Sequence, residues 1–321
     1  MSRVLITGIN GFIGSYLAEE LLKKGHEVFG LLKYVVGREL KSIENIRDNV
    51  VILTGDIIDY NSVSKILKES MPDYIIHLAA LSPVRFSFEI PFEFQTSNYI
   101  GTLNIAHALL NLPDADSRRL IVASTAEVYG IQDENKPFTE DLALKPSSPY
   151  SVSKAAMDMY IRMMIGSFNL NATIMRCTNT YGRKFSTGFI VEYLVTEMLK
   201  GNKIYIGAPD SVRDYMFVND HVSAYIAAMD KKGRGEVFNA ATGIGTSNKE
   251  LAFMIADKLG FDKKKIVLGA YPPNYPYRPL SSDQPYLVLD ATKIKTKLGW
   301  KTTVDLNEGI ERVIKIWKDR V

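Results

Sequence analysis

Cysteine is almost missing from this chain: Cys177 is the only one in 321 residues, which excludes an internal disulfide and any zinc site built on clustered thiolates. Histidine is scarce as well. The four, at 26, 77, 107 and 221, include no pair with the spacing of a helical metal site, and all read as structural or solvated. A surplus of one charge is lacking too, since 39 basic residues face 36 acidic ones and no dense basic arm exists, which argues against nucleic acid as a partner. No apolar run approaches the ~20 residues of a membrane helix, and the first strand begins almost at Met1, leaving no room for a signal peptide. A soluble, cytoplasmic protein is expected. Internal repeats and low-complexity linkers are also absent, so one large domain or two that share a cleft fit the length.

What is present starts at the N-terminus. Arg3 to Thr7 is a β-branched apolar run, followed by Gly8-Ile9-Asn10-Gly11-Phe12-Ile13-Gly14 and an amphipathic helix through Lys24. Strand, glycine turn and helix in that order form a dinucleotide loop: Gly8 permits the turn, Gly11 the approach of backbone to pyrophosphate, and Gly14 the packing of helix on sheet. The second strand, His26 to Leu32, ends where an acid would bind the ribose of NAD, but Leu32 and Lys33 stand there, with Arg38 nearby. NADP is therefore favoured, unless both cations are merely solvated. Val50 to Leu53 is a third strand, leading to Asp56, which either accepts from the adenine amino group or caps a helix near Asn61. Asp73 to Ala80 forms a fourth strand, Asn98 to Leu112 a helix, and Arg119 to Ser124 a fifth strand. The alternation predicts a Rossmann-type α/β fold: a doubly wound parallel sheet with ligand at the carboxyl ends of its strands.

Two stretches carry candidate chemistry. Thr125 and Glu127 follow the fifth strand, where Thr125 could bond a substrate hydroxyl and Glu127 could act as a base; the alternative is a strand-end turn with solvated polar groups. Tyr150 and Lys154 lie one helical turn apart on the next helix, to Phe168. A tyrosine with a pKa near ~10 needs roughly 4 kcal/mol in favour of the phenolate to serve as a base near neutrality, and Lys154 with a charged nicotinamide ring could supply it. Without a dinucleotide site beside it, the pair would be an ordinary surface Tyr and Lys.

Together with Gly55-Asp56, His77-Leu78-Ala79-Ala80, Asn98…Gly101-Thr102, Arg176…Asn179-Thr180-Tyr181-Gly182, Arg213-Asp214-Tyr215, Gly243 to Ser247, Arg278-Pro279 and Leu298-Gly299-Trp300, these motifs run nearly end to end. The chain resembles the extended short-chain dehydrogenase/reductase family, in particular its nucleotide-sugar epimerases, dehydratases and 4-keto reductases. The resemblance implies a dinucleotide domain over 1–178 and a smaller mixed α/β substrate domain, mainly over 179–321, that may exchange segments with the first. By resemblance, Tyr150 is the acid/base at the sugar 4-hydroxyl, Lys154 holds the nicotinamide ribose and tunes Tyr150, and Thr125 shares the 4-oxygen. The implied cofactor contacts are Gly8, Gly11, Phe12, Ile13, Gly14, Lys33, Asp56, Ile57, Leu78, Ala79, Ala80, Asn98, Tyr150, Lys154 and Cys177.

For the nucleotide-diphospho-sugar the implied contacts are Val84, Thr125, Asn179, Arg213 and Arg278. Read without the family, Arg213 with Asp214 could be a local ion pair and Arg278 a loop cation. A Glu at position 127 matches the C5 base of the 4,6-dehydratases, of the GDP-mannose or dTDP-glucose type. Ala126 departs from the Asp that precedes it in the dTDP-glucose enzymes, and Phe12-Ile13-Gly14 departs from the Gln-Asp-Gly of the GDP-mannose enzymes. A 4,6-dehydratase is the first expectation, a UDP-glucose-type 4-epimerase the alternative, and a 4-keto-6-deoxy-sugar reductase the third. An NADP-sensing scaffold is disfavoured because Thr125, Tyr150 and Lys154 are all present. The helices Asn98 to Leu112 and Tyr150 to Phe168 match a four-helix contact that makes a homodimer in this family, although Met157, Met159, Met163 and Met164 could instead be core.

Overall fold

The β-branched apolar runs do become strands, and their continuous burial shows that both faces of the sheet are covered. The computed structural model describes residues 1–33, 37–272, 279 and 283–321. Its strands are β1 (Arg3–Thr7), β2 (Glu27–Leu32), β3 (Val50–Thr54), β4 (Tyr74–His77), β5 (Arg119–Thr125), β6 (Ala172–Cys177), β7 (Asn179–Tyr181), β8 (Ile204–Ile206), β9 (Val212–Phe217), β10 (Val237–Ala240), β11 (Gly245–Ser247), β12 (Ile266–Leu268) and β13 (Tyr286–Leu287). The helices are α1 (Phe12–Lys23), α2 (Tyr60–Ser70), α3 (Pro91–Phe94), α4 (Gly101–Leu110), α5 (Pro149–Phe168), α6 (Ile190–Leu199), α7 (Val218–Ala227), α8 (Asn248–Leu259), α9 (Thr292–Leu298) and α10 (Leu306–Lys318).

Seven parallel strands form one sheet in the order β10-β6-β5-β4-β1-β2-β3. The strand order reverses between β1 and β4, and at such a switch point a crevice opens at the carboxyl ends of the strands. Register places Thr7 opposite His77 there, and Thr125 opposite Cys177 on the neighbouring pair. Strand β10 comes from beyond residue 179, so a late segment completes the first sheet beside β6. Strands β7, β11 and β13 pair with β9 in a small second sheet, and β8 pairs with β12.

Three local features depart from the sequence reading. Asp59, not Asp56, caps α2, accepting from the Asn61 amide at 3.0 Å. The helix expected from Asn98 begins at Pro91, which can open a helix because it needs no amide partner, and residues Gln95–Ile100 form a π-helical turn before α4. The α9 helix carries no apolar stripe strong enough to announce itself, since only Ile294 of its residues is buried.

Candidate active site

A small hydrogen-bond chain sets the floor of the crevice. Thr7 Oγ1 accepts from the amides of Leu78 and Ala79 at 3.1 Å each and donates to His77 Nδ1 at 2.7 Å. The other ring nitrogen of His77 donates to Thr102 at 3.0 Å, because the Thr102 hydroxyl itself donates to the Asn98 carbonyl. Burial holds this histidine neutral, its pKa lowered to about 3. His77 is thus structural, as its isolation in the sequence implied.

Above that floor the glycine loop passes close to its neighbours. Gly8 has φ +71°, and a Cβ there would lie 3.0 Å from Ala79. A Cβ on Gly14 would meet the Gly8 carbonyl oxygen at 2.3 Å. With Gly11 exposed at the start of α1, the loop forms a cradle of backbone that a side chain would fill, which is the fit expected of a pyrophosphate seat. Asn98 is not among the residues that line the cleft. Its buried amide bonds Leu81 in both directions, at 2.8 and 2.9 Å, and Ser153 at 3.0 Å, so it staples the loop after β4 to α5. At the far end Lys33 pairs with Asp56 at 3.0 Å, and Asp56 also accepts from the Ile58 amide.

Helix α5 is placed by two devices. Ser148 and Ser151 form a capping box at its start, with Pro149 in the first turn, which leaves Tyr150 near the positive end of the helix. Farther along, Asp158 takes both Arg176 Nε and Nη2, at 2.9 and 2.8 Å, and Ser124 at 2.9 Å, all buried. Breaking such a pair costs about 3–5 kcal/mol, so α5 is locked against β5 and β6. Lys154, 4% exposed, then donates to the Ala123 carbonyl at 2.8 Å.

A cleft of about 550 Å³ brings the expected residues together: Gly8, Gly11, Phe12, Ile13, Gly14, Leu78, Ala80, Val84, Thr125, Glu127, Tyr150, Lys154, Cys177, Asn179 and Arg213 all line it. Lys33, Asp56 and Ile57 stand apart from it at the β2–β3 end, Ala79 lies beneath Gly8, and Arg278 lies outside the described residues. Burial raises the Tyr150 pKa; the Thr125 hydroxyl bonded to it lowers it, and the Glu127 charge raises it again. Burial also lowers Lys154 to about 8, and raises Cys177 to about 12. The protein alone therefore keeps Tyr150 protonated, and leaves Lys154 charged at neutral pH but ready to lose its proton only about one pH unit higher. Bringing the phenol into use requires a positive charge beside it. The Arg213–Asp214 ion pair is not formed: Asp214 turns to Thr242 and the Gly243 amide, and burial lifts its pKa to about 6.

Residues 5–313 match the family described as GDP-mannose 4,6 dehydratase. The chain belongs to that family. It is thus an extended short-chain dehydrogenase/reductase, an enzyme of the nucleotide-sugar dehydratase and epimerase group. It is 33% identical to a UDP-glucose 4-epimerase of Mycolicibacterium smegmatis over 99% of both chains. It is 30% identical to a dTDP-glucose 4,6-dehydratase of Xanthomonas campestris pv. campestris, over 98% of this chain and 92% of the other. The solved dTDP-glucose 4,6-dehydratase of Streptomyces venezuelae, with NAD bound, superposes with TM-score 0.88 at 27% identity, covering 99% of this chain and 97% of that one.

Two residues at or beside the cleft of this family member went unnoticed in the sequence. Arg183, directly after the Asn179 to Gly182 motif, is sandwiched between Phe12 and Phe189, 4.3 and 3.6 Å from the ring centroids, and pairs with buried Glu192 at 3.3 Å. It ties the glycine loop to α6. Gln284, in the segment just before β13, donates to Glu127 Oε2 at 2.9 Å. Nothing local announces the contact of Arg183 with Phe12 or of Gln284 with Glu127, because each spans more than 150 positions of chain. Among the described residues no cluster of His, Cys, Asp and Glu could hold a metal, and no helix is long and apolar enough to cross a membrane.

Proposed function

We propose that this enzyme is a nucleotide-diphospho-hexose 4,6-dehydratase whose reaction begins by oxidation at C4. The observation that carries the reading is Glu127, which lines the cleft with Thr125 and Tyr150 and sits close enough for its charge to raise Tyr150. Tyr150 takes the proton of the 4-hydroxyl while Thr125 bonds the same oxygen, and protonated Lys154 favours the phenolate. The glycine loop of Gly8, Gly11 and Gly14, with Lys154, would hold a nicotinamide dinucleotide, which would supply a hydride acceptor for C4 and a hydride donor for C6. Glu127 removes the C5 proton, made acidic by the 4-ketone, water leaves from C6, and as C6 is reduced C5 regains a proton drawn from solvent. Ala126 is buried and apolar, so Glu127, once protonated, is the acid left for the departing hydroxide. Asn179 and Arg213 suit a diphosphate as a neutral and a forked donor.

The same Ala126 favours a second reading, a 4-epimerase, because that reaction needs no acid at C6. A 4-keto-6-deoxy-sugar reductase ranks third. For the cofactor, NADP binding at least as tight as that of NAD follows from the missing acid after Leu32. The Lys33–Asp56 pair is solvent-facing and worth little, so a 2′-phosphate can draw Lys33 away from Asp56. Val152, Met159 and Met163 lie exposed along α5, and Phe92 and Ile100 along the adjoining helix, while Met157 and Met164 are core. Such an apolar face fits a homodimer through a four-helix contact, in the cytoplasm.

Turnover of UDP-, GDP-, CDP- and dTDP-hexoses in D₂O tests the reaction. A dehydratase product has lost water and carries solvent deuterium at C5, and Glu127→Gln stops that loss. Interconversion of two 4-epimers at unchanged mass, indifferent to Glu127→Gln, would replace this reading with the epimerase.

A further inference from the structure

The residue that reaches Glu127 from the other lobe has no role in the reaction as described so far. Gln284 is 1% exposed, and its backbone is fixed by the second sheet: the Val212 amide donates to the Pro285 carbonyl at 2.9 Å, and β13 then pairs with β9 at Tyr286 and Leu287. From that anchor the side-chain amide donates to Glu127 Oε2 at 2.9 Å and lies 3.5 Å from the Glu127 carbonyl oxygen. Both partners are acceptors, so the NH₂ end must face Glu127. The Gln284 carbonyl oxygen is buried without a hydrogen-bond partner among the described residues. A glutamine serving only to fill space would have no reason to orient its amide this way, since the donor end is satisfied and the acceptor end is not.

We infer that Gln284 is a positioning residue for Glu127, holding its carboxylate ionised and in one rotamer against the cleft. The inference rests on the dehydratase reading for its meaning in turnover, though not for the contact itself. A base at C5 must be ionised before the substrate arrives, and a hydrogen bond donated to its carboxylate favours the charged form. Among the described residues, the titratable and charged groups that line the cleft with Glu127 are Tyr150 and Lys154 of α5, Cys177 of β6, Tyr181 and Arg183 at and after β7, Glu192 of α6, Arg213 and Tyr215 of β9, His221 and Tyr225 of α7, and Arg85 after β4. The adjacent Asp283 accepts from the Tyr271 hydroxyl at 2.7 Å, and the Tyr271 ring covers Gly207, so the base is tied to the substrate lobe at consecutive positions.

Two variants test this: Gln284→Met, which keeps volume and removes the donor, and Gln284→Glu, which keeps shape if the first does not fold. The Glu127 side-chain carboxyl is followed by ¹³C NMR against pH in the full-length protein, its signal assigned by its loss in Glu127→Gln. The expected result is an upward move of the Glu127 midpoint by about one pH unit or more in either variant. In turnover, kcat falls about 10- to 100-fold with KM within about threefold, and the acid limb of the rate profile moves up with the NMR midpoint. Midpoints within a few tenths of a unit of the wild type would overturn the inference and leave Gln284 as packing. The two readings fail separately: a wild type that neither loses water nor exchanges C5 sinks the dehydratase, whereas the NMR midpoint alone decides the role of Gln284.

Discussion

Replacing Lys154 by Met should make the protein more stable at neutral pH while disabling it. Burial lowers this lysine from its ordinary 10.5 to about 8, a shift that corresponds to about 3 kcal/mol held against the folded state wherever both forms are protonated. Methionine matches the stem in volume but forfeits the 2.8 Å bond to the Ala123 carbonyl, which returns about 1 kcal/mol. The net gain near pH 7 is about 2 kcal/mol. For 321 residues, unfolding entropy of about 2.1 cal/mol/K per residue converts this to a rise of roughly 3 °C in Tm. The gap closes with pH and reverses near pH 10: between about 8 and 10.5 the folded wild type has lost the proton that its unfolded chain still holds, so its stability rises to that of the variant and then, by the bond to Ala123, slightly past it. Urea titrations of both proteins at pH 7 and pH 10, with turnover measured alongside at pH 7, read all three quantities. A variant that is less stable at pH 7 by 1 kcal/mol, or a gap equal at both pH values, would refute the reasoning from burial.

Tyr150→Phe should keep the fold and dinucleotide affinity yet lower turnover by at least about 10²-fold, because it removes a proton carrier and no packing volume; near-normal rates would unseat Tyr150. Gly14→Ala should abolish dinucleotide binding by calorimetry, since its Cβ would meet the Gly8 carbonyl at 2.3 Å and neither backbone can yield; retained affinity would mean the cradle is not the pyrophosphate seat. Lys33→Ala should weaken NADP more than NAD in the same assay, and equal losses would return Lys33 to an ordinary solvated cation.

The sequence by itself determined the parts whose meaning is local. Strand, glycine turn and helix at Arg3 to Lys23 are written in hydrophobic period and in backbone freedom, so the nucleotide loop was legible residue by residue. Tyr150 and Lys154 were legible as a pair because four residues on a helix fix their spacing before any tertiary contact forms. Tertiary structure decided everything that depends on partners far along the chain. It bonded Asn98 to Leu81 and Ser153, paired Asp56 with Lys33 while Asp59 capped α2, and turned Asp214 away from Arg213. It also delivered Gln284 to Glu127 and Arg183 to Phe12, contacts that arise because strands from the second half of the chain fold back over the first. Local propensity carries no record of such closures, whose cost lies in long loops and whose reward appears only when the cleft is assembled.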